Sequence, residues 1–399
     1  MSPEPRLSTR GRVEPFHVME LLKAAGRRAA THGDVIPLCV GQPSTPAPAA
    51  VREAAARAME SGVLGYSDAL GLPALREAIA AHYRLAYGVA ITPDQVAVTT
   101  GSSGAFTAVF LAAFEAGDVV AMARPGYPAY RNTLSALGCR VVELDCGPET
   151  RFQPSLAMLE ELARRDGAPA GLILASPANP TGSLVPAAEL AAIARWCEDN
   201  GTLLISDEIY HGITFGETAA SAAQFSTQAA VIGSFSKYHS MTGWRVGWAV
   251  LPTAYVRPVE LLLGNLAICA PVISQAAAIA AFSAEATAEL DSHVARYARN
   301  RDLVLSRLPE LGVHTVAPVD GAFYAYADIA HLTTDSPAWC DEVLAATGVA
   351  ITPGIDFAPA RPDRPSSTDG TRYVRLSFAG DTADIDEAFT RLTRHIAQP

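Results

Sequence analysis

The chain is organised around the segment Ser234-Phe235-Ser236-Lys237-Tyr238-His239-Ser240-Met241-Thr242-Gly243-Trp244-Arg245. The apolar run Val231-Ile232-Gly233 precedes it and predicts a strand, so Lys237 is expected on a turn just beyond a strand end. Of the 30 Lys and Arg residues only Lys23 and Lys237 are lysines. A reactive amine must be able to lose its proton, which an arginine cannot do. The alternative is a solvated surface lysine.

The motif Ser-x-x-Lys followed by Met-Thr-Gly-Trp-Arg-x-Gly resembles the cofactor-binding segment of pyridoxal-phosphate aminotransferases of classes I and II, fold type I. The resemblance implies that Lys237 forms a Schiff base with pyridoxal 5'-phosphate. It also implies that Ser234 and Arg245 hold the cofactor phosphate. A nucleotide P-loop is excluded here, because Gly-x-x-x-x-Gly-Lys-Ser/Thr does not occur around Lys237.

Composition and charge narrow the function classes. The 399 residues are 49% hydrophobic and 18% charged, and the formal net charge of −11 argues against nucleic acid or an anionic membrane as a partner. The six cysteines form no Cys-x-x-Cys pair, which predicts neither a disulfide framework nor a zinc or other metal site. The N-terminus lacks an apolar signal-peptide core, and no apolar run reaches the ~18 residues of a membrane helix. We expect a cytoplasmic protein.

Alternating strand and helix patterns predict an α/β fold. Several strands are apolar throughout, such as Leu172-Ile173-Leu174, which indicates a mostly parallel central sheet covered by helices on both faces. We expect an N-terminal arm and helix at 1–46 that pack with the small domain, a large cofactor-binding domain at 47–282 and a smaller α/β C-terminal domain at 283–399. The predicted strands are Val35–Val40, Val96–Thr99, Val119–Ala123, Arg140–Leu144, Gly171–Ala175, Leu203–Ser206, Val231–Ser234 and Val246–Val250.

Polar clusters follow several of these strands, where ligands of parallel sheets collect. The turn Thr100-Gly101-Ser102-Ser103-Gly104 precedes a helix, predicted at Ala105–Glu115, whose free N–H groups and dipole would attract a phosphate. A plain helix cap is the alternative. The family resemblance implies that Ser102, Ser103 and Gly104 bind the cofactor phosphate.

Asp207 directly follows the buried strand predicted at Leu203–Ser206. Burying a carboxylate at this position costs free energy unless the carboxylate is paired. A helix N-cap is the alternative role. The resemblance implies that Asp207 pairs with the pyridine nitrogen and that Tyr210 and Asn179 bind the phenolic oxygen, while Glu208 is assigned to the scaffold. It further implies that Tyr127 stacks on the ring. His239 lies where the family varies, so we assign it no role in the site and expect it to be structural.

The substrate anchor is expected on the segment Arg372-Tyr373-Val374-Arg375-Leu376-Ser377-Phe378. Val374, Leu376 and Phe378 alternate as a buried strand face, so Arg375 points to the other side, where a guanidinium can grip a carboxylate. Arg372 is the alternative. The resemblance assigns the substrate α-carboxylate to Arg375, with help from Asn179 and the backbone of Gly41. It places Tyr66 at the phosphate of a partner subunit, which implies a homodimer with shared active sites.

The function implied by the resemblance is ping-pong transfer of an amino group between an L-amino acid and a 2-oxo acid through Lys237. A C–S or β-elimination lyase on the same fold is one alternative, and a non-catalytic regulator is another. Some members of the resembled family that act on dicarboxylates carry a lysine in the Gly-rich turn. This chain has none at Gly101-Ser102-Ser103-Gly104, so the resemblance implies neutral substrates, aliphatic or aromatic. Phe16, His17 and Tyr324 are candidate pocket residues, with Ile268-Cys269-Ala270 of the partner.

Overall fold

A computed structural model describes residues 7–361, 366 and 369–397. Within these ranges no helix is long and apolar enough to cross a membrane. The α-helices are α1 His17–His32, α2 Ala49–Ser61, α3 Pro73–Tyr87, α4 Gly101–Ala113, α5 Pro128–Leu137, α6 Leu156–Asp166, α7 Ala187–Asp199, α8 Thr253–Leu266, α9 Val272–Ile279, α10 Ala284–Arg307, α11 Ser336–Thr347 and α12 Thr382–Ile396.

The strands form three sheets. They are β1 Ile36–Pro37, β2 Val96–Thr99, β3 Val119–Arg124, β4 Arg140–Asp145, β5 Gly171–Ala175, β6 Leu203–Asp207, β7 Ala230–Ser234, β8 Gly247–Val250, β9 Tyr324–Asp328, β10 Val349–Ala350, β11 Thr352–Pro353 and β12 Tyr373–Ser377. The main sheet has the order β2-β8-β7-β6-β5-β3-β4, and only β8 runs antiparallel to its neighbours. This mostly parallel sheet confirms the predicted α/β class.

Both faces of the main sheet are buried, because successive side chains of each strand point to opposite sides. Leu172 and Leu174 of β5 pack on one face with α2, α3, α6, α7 and α9. Ile173 between them packs on the other face with α4, α5 and α8. Covering helices on both sides explain why these strands are apolar throughout rather than alternating.

The C-terminal part has its own antiparallel sheet, β11-β12-β9, packed against α10, α11 and α12. The N-terminal segment joins it: Ile36 of β1 pairs in parallel with Val349 of β10, and α1 packs near Leu344 of α11. The bounds 1–46, 47–282 and 283–399 stay predictions.

Two local predictions were wrong, and one helix was missed. The strand predicted at Val35–Val40 is only Ile36–Pro37, because Pro37 has no N–H to continue a ladder. Helix α4 begins at Gly101 and not at Ala105; Gly101 has a φ of +67°, which glycine adopts without strain, and tertiary packing overrides the poor helix propensity of Gly-Ser-Ser-Gly. Helix α5 was not predicted, although Pro128 starts it and Gly138 ends it.

Candidate active site

A cavity of about 300 Å³ lies at the carboxyl ends of β5 and β6, between the main sheet and the C-terminal sheet. It brings together most of the residues predicted from the sequence. Those that line it are Gly41, Ser102, Ser103, Tyr127, Asn179, Asp207, Tyr210, Lys237, Arg245 and Arg375.

Lys237 lies on the turn that follows β7, as its position after an apolar run predicts. Its Nζ donates a hydrogen bond to the Gly41 carbonyl oxygen at 2.5 Å and lies 5.7 Å from the centre of the Tyr210 ring. Burial, together with the nearby Arg375 guanidinium, lowers the pKa of Lys237 to about 8. The amine can thus shed its proton close to neutral pH, as a nucleophile or general base must.

Asp207 is only 3% exposed and has no basic side chain in ion-pair contact among the described residues. Its carboxylate accepts hydrogen bonds from the Tyr130 hydroxyl and from the Ile209 N–H, the latter at 3.2 Å. Burial raises the pKa of Asp207 to about 6, and the bond from Tyr130 opposes that rise. A buried carboxylate that faces the cavity and forms no ion pair with a described side chain fits a ligand with a protonated ring nitrogen.

Tyr130 was missed by the sequence reasoning. It stands three residues after Tyr127 on α5, so both rings face the same cavity, with centroids 5.3 Å apart. That spacing was the available signal, but it has meaning only once the helix at Pro128–Leu137 is known.

The part of the cavity beside the start of α4 is suited to bind an anion. Ser102 and Ser103 lie in the first turn of α4, where backbone N–H groups and the helix dipole favour negative charge. The Arg245 guanidinium packs so closely on Gly101 that a Cβ there would lie 2.5 Å from Nη2. Arg245 Nη1 donates to the Thr242 carbonyl oxygen at 3.0 Å, which leaves the rest of the fork for a ligand.

Three predicted cofactor residues lie outside the lining of this cavity. Gly104 is set back in the first turn of α4, and Tyr66 is 82% exposed on the surface of this chain. Ser234 lines a second cavity, and its Oγ accepts a hydrogen bond from the Ser236 N–H at 3.0 Å. Ser236 lines the first cavity instead. The roles assigned to Gly104, Tyr66 and Ser234 stay predictions.

Arg375 enters the cavity from β12, opposite the buried face of Val374, Leu376 and Phe378. Its Nη1 donates to Asn179 Oδ1 at 2.8 Å, and its Nη2 donates to the Cys39 carbonyl oxygen at 2.7 Å.

The guanidinium of Arg375 lies over the rings of Tyr324 and Phe357, at 4.4 and 4.8 Å. It is 4% exposed and takes part in no salt bridge among the described residues, and its Nε has no hydrogen-bond partner there. A buried, oriented guanidinium without a carboxylate is suited to an anionic substrate group.

The backbone of Gly41 contacts both Lys237 and Tyr324. A Cβ at Gly41 would lie 2.3 Å from the Tyr324 hydroxyl oxygen, so only glycine fits. The Tyr324 and Tyr210 hydroxyl oxygens are 2.7 Å apart, which makes Tyr324 part of the site, as its place among the candidate pocket residues anticipated.

The remaining wall comes from α1 and is apolar. Phe16, Val18, Met19 and Leu22 line the cavity, and the Phe16 ring packs edge-on against Tyr127 with centroids 5.8 Å apart. The Asp356 carboxylate accepts hydrogen bonds from the backbone N–H groups of the first turn of α1, at 3.1 and 3.2 Å. This bond pair fixes the helix end over the site, in the manner of an N-cap.

A lysine amine, an unpaired carboxylate and an unpaired guanidinium thus converge at the carboxyl ends of a parallel sheet, as in an α/β enzyme for small anionic substrates. The family model "Aminotransferase class I and II" matches residues 33–392. The chain belongs to this family, whose members work with pyridoxal phosphate.

Individual relatives agree with this assignment. The chain is 54% identical to a valine–pyruvate aminotransferase of Mycobacterium tuberculosis over 389 residues, 97% of each protein. It is 32% identical to an aspartate/prephenate aminotransferase of Thermus thermophilus over 366 residues, 90% of this chain and 91% of the relative.

The fold also matches solved structures. A crystal structure of an aminotransferase from Mycobacterium tuberculosis has a TM-score of 0.94 at 52% identity, over 99% of this chain and all of that one. Thermus thermophilus aspartate aminotransferase with maleate has a TM-score of 0.90 at 29% identity, over 98% and 99%. The chain is an aminotransferase, which moves an amino group between an amino acid and a keto acid. The elimination lyase and the non-catalytic regulator are set aside.

Proposed function

We propose that this aminotransferase takes its amino group from neutral aliphatic L-amino acids such as valine and passes it to pyruvate, with pyridoxal 5'-phosphate bound at Lys237. The observation that carries the substrate class is the charge inventory of the cavity. Its described lining holds three basic side chains, Lys237, Arg245 and Arg375. Each of them has a role with the cofactor or the α-carboxylate, so none is left for an acidic side chain.

The residues present fit the cofactor. Asp207 would hold the protonated ring nitrogen, Tyr210 and Asn179 would bind the phenolic oxygen, and Tyr127 would pack on a ring face. The phosphate would lie at the first turn of α4, with Ser102, Ser103 and Arg245, and with Ser234 and Gly104 as further predicted contacts. When bound, the cofactor supplies an aldehyde that accepts amino groups and a ring that spreads the electrons released at the substrate Cα.

The chain's own groups position the substrate and move its proton. The Arg375 fork, with the Asn179 amide and the Gly41 backbone, would fix the α-carboxylate and so orient the Cα–H bond. Lys237 Nζ, whose pKa is lowered by burial to about 8, is suited to remove the Cα proton and to hold it for redelivery. With a pKa of about 6, Asp207 is mostly ionised at neutral pH and would supply the negative charge that pairs with the ring nitrogen.

The substrate side chain would lie against α1. Phe16, Val18 and Leu22 offer apolar surface there, and Asp356 holds the start of the helix in place. Burying an aliphatic side chain against such a wall contributes about 1.5–3 kcal/mol, whereas burying an unpaired carboxylate is strongly unfavourable. The valine–pyruvate activity named for the mycobacterial relative agrees with this preference.

We further propose that the enzyme acts as a homodimer in which Tyr66 reaches the partner's phosphate site. Tyr66 is 82% exposed, and its neighbours Val63 and Leu64 are exposed apolar residues, as are Leu266 and Ile268. Exposed apolar side chains next to each other, as at Val63 and Leu64, are typical of interfaces between chains. All six cysteines are free, which supports the predicted cytoplasmic location.

A substrate panel with matched variants tests the substrate class. We expect kcat/KM with pyruvate to be highest for valine and other aliphatic donors and at least tenfold lower for aspartate. Met19→Arg places a cation on the α1 wall and should raise the aspartate-to-valine ratio, whereas the neutral control Met19→Gln should not. A wild-type preference for aspartate or glutamate would overturn the proposed substrate class.

A further inference from the structure

A second cavity of about 520 Å³, here termed the rear cavity, lies beyond the ends of β6 and β7 and shares only Ile209 with the described lining of the first. Its walls include Tyr83, Tyr87, Glu208, His211, Tyr238 and His239. Glu208 directly follows Asp207 in the chain, and Tyr238 and His239 directly follow Lys237. The rear cavity thus adjoins the active site through the backbone. Apart from Ser234, a predicted contact of the cofactor phosphate, none of its lining side chains has a role in the proposed transamination.

Glu208 is a buried carboxyl group in which only one of the two oxygens accepts hydrogen bonds from the described residues. Its Oε1 accepts hydrogen bonds from Ser206 Oγ at 2.9 Å and from the Ala222 N–H at 2.8 Å. Its Oε2 is buried and has no hydrogen-bond partner among the described residues. Burial raises the pKa of Glu208 to about 7 despite the hydrogen bonds that its carboxylate accepts. The group is 5% exposed, so water does not solvate it freely.

The histidines around Glu208 do not neutralise it. His211 Nδ1 is 3.6 Å from Glu208 Oε2, but His211 Nε2 lies 3.0 Å from the Ser176 carbonyl oxygen and must donate to it. Nδ1 then accepts from the Tyr87 hydroxyl at 2.8 Å, which fixes the neutral tautomer.

Burial also lowers the pKa of His211 and of His82 to about 4 and that of His239 to about 3. The described lining of the rear cavity contains no lysine or arginine. An ionised Glu208 therefore has no cationic side chain to pair with among the described residues.

The remaining features of the rear cavity indicate what its partner would be. In the described ranges no group of three or more His, Cys, Asp or Glu side chains could hold a metal ion. The walls are instead aromatic, with Tyr83, Tyr87, Tyr238 and Trp248, and aromatic faces attract cations. His239 Nδ1 is a further buried atom without a hydrogen-bond partner.

From the unpartnered Glu208 oxygen, the aromatic walls and the volume, we propose that the rear cavity is a binding site for a small organic cation with an aromatic or apolar body. The cation would donate to Glu208 Oε2 while its body packs between α3 and the 208–239 segments. A volume of about 520 Å³ is in the range of small-molecule sites.

Calorimetric titration of the holoenzyme with benzamidinium chloride tests the proposal, with benzamide as the neutral control of the same shape. We expect one saturable benzamidinium site per chain and at least tenfold weaker binding of benzamide, because a charge-assisted hydrogen bond is lost. Glu208→Gln keeps the size of the side chain and should weaken benzamidinium at least tenfold. Ala86→Trp at the rim should also weaken it without touching the carboxylate.

The outcomes separate the rear cavity from the active site. Benzamidinium affinity that is unchanged by saturating valine supports binding in the rear cavity, and competition with valine overturns it. The proposal is also overturned if the wild type shows no saturable binding, if benzamide binds equally well, or if Glu208→Gln binds benzamidinium as tightly as the wild type. Thermal unfolding of both variants shows whether they are folded under the conditions of the titration.

Discussion

The Tyr130 hydroxyl lowers the pKa of Asp207 by donating a hydrogen bond to its carboxylate, and Tyr130→Phe removes this hydrogen bond while keeping the ring. The hydroxyl donates to Asp207 Oδ2 and lowers a pKa that burial raises to about 6. A hydrogen bond to a charged group contributes about 1.5–3 kcal/mol, or about 1–2 pKa units. In the cofactor-free variant the pKa of Asp207 should therefore be about 7–8. The ionised fraction at pH 7 then falls from about 0.9 to between about 0.5 and 0.1.

Since only ionised Asp207 pairs with a cationic ring nitrogen, Tyr130→Phe should bind pyridoxal phosphate about two- to tenfold more weakly at pH 7. This difference in affinity between the wild type and the variant should disappear by about pH 9, where Asp207 is ionised in both proteins. Titrating the cofactor-free proteins with pyridoxal phosphate between pH 6 and pH 9, followed by absorbance, measures the two affinities. Tyr326→Phe is the control, because the Tyr326 hydroxyl is buried without a hydrogen-bond partner among the described residues. Equal affinity at pH 7, or a gap that persists at pH 9, refutes the reasoning.

Three further changes have expected outcomes. Arg375→Lys loses the fork that binds Asn179 and a carboxylate, so kcat/KM should fall about 10²–10³-fold, and unchanged kinetics would contradict this. Gly41→Ala drives a Cβ into the Tyr324 hydroxyl and should cost about 1–3 kcal/mol in the free energy of unfolding; Tyr324→Phe in addition should restore part of it, and no restoration would be evidence against the clash. The pKa of Glu208 is raised from 4.5 to about 7, so the native state binds the extra proton and wild-type stability falls as pH rises through that window. In urea unfolding at pH 5 and pH 8, the free energy of unfolding of the wild type should fall by on the order of 3 kcal/mol, whereas that of Glu208→Gln should lack this fall. The same pH dependence in both proteins would show that Glu208 is not desolvated.

The sequence was sufficient for the parts of the molecule that follow from local pattern. Val96–Thr99 and Gly171–Ala175 are strands with the predicted bounds, because continuous apolar runs mark strands buried on both faces. Lys237, Asp207 and Asn179 were placed at one edge of the sheet because they follow such strands. The alternation around Arg375 placed its side chain correctly on the cavity side of β12.

What the sequence could not supply depends on packing between distant segments. Asp356 caps α1 across more than 300 residues, and no local signal relates the two. Tyr130 reaches Asp207 only because α5 packs on the sheet beside β6. The different cavities lined by Ser234 and Ser236 reflect the course of the chain after β7, which the motif does not specify.

The central claim is that Lys237 carries a cofactor that accepts the amino group of a neutral amino acid. The most direct measurement is an absorbance scan of the purified enzyme loaded with pyridoxal phosphate, with L-valine added and no keto acid present. We expect conversion of the lysine-bound cofactor to its amino form, with one equivalent of the valine-derived 2-oxo acid per site, and no such conversion in Lys237→Ala. Persistence of the lysine-bound form with continuing release of ammonia, or no lysine-bound cofactor in the wild type, would contradict the account.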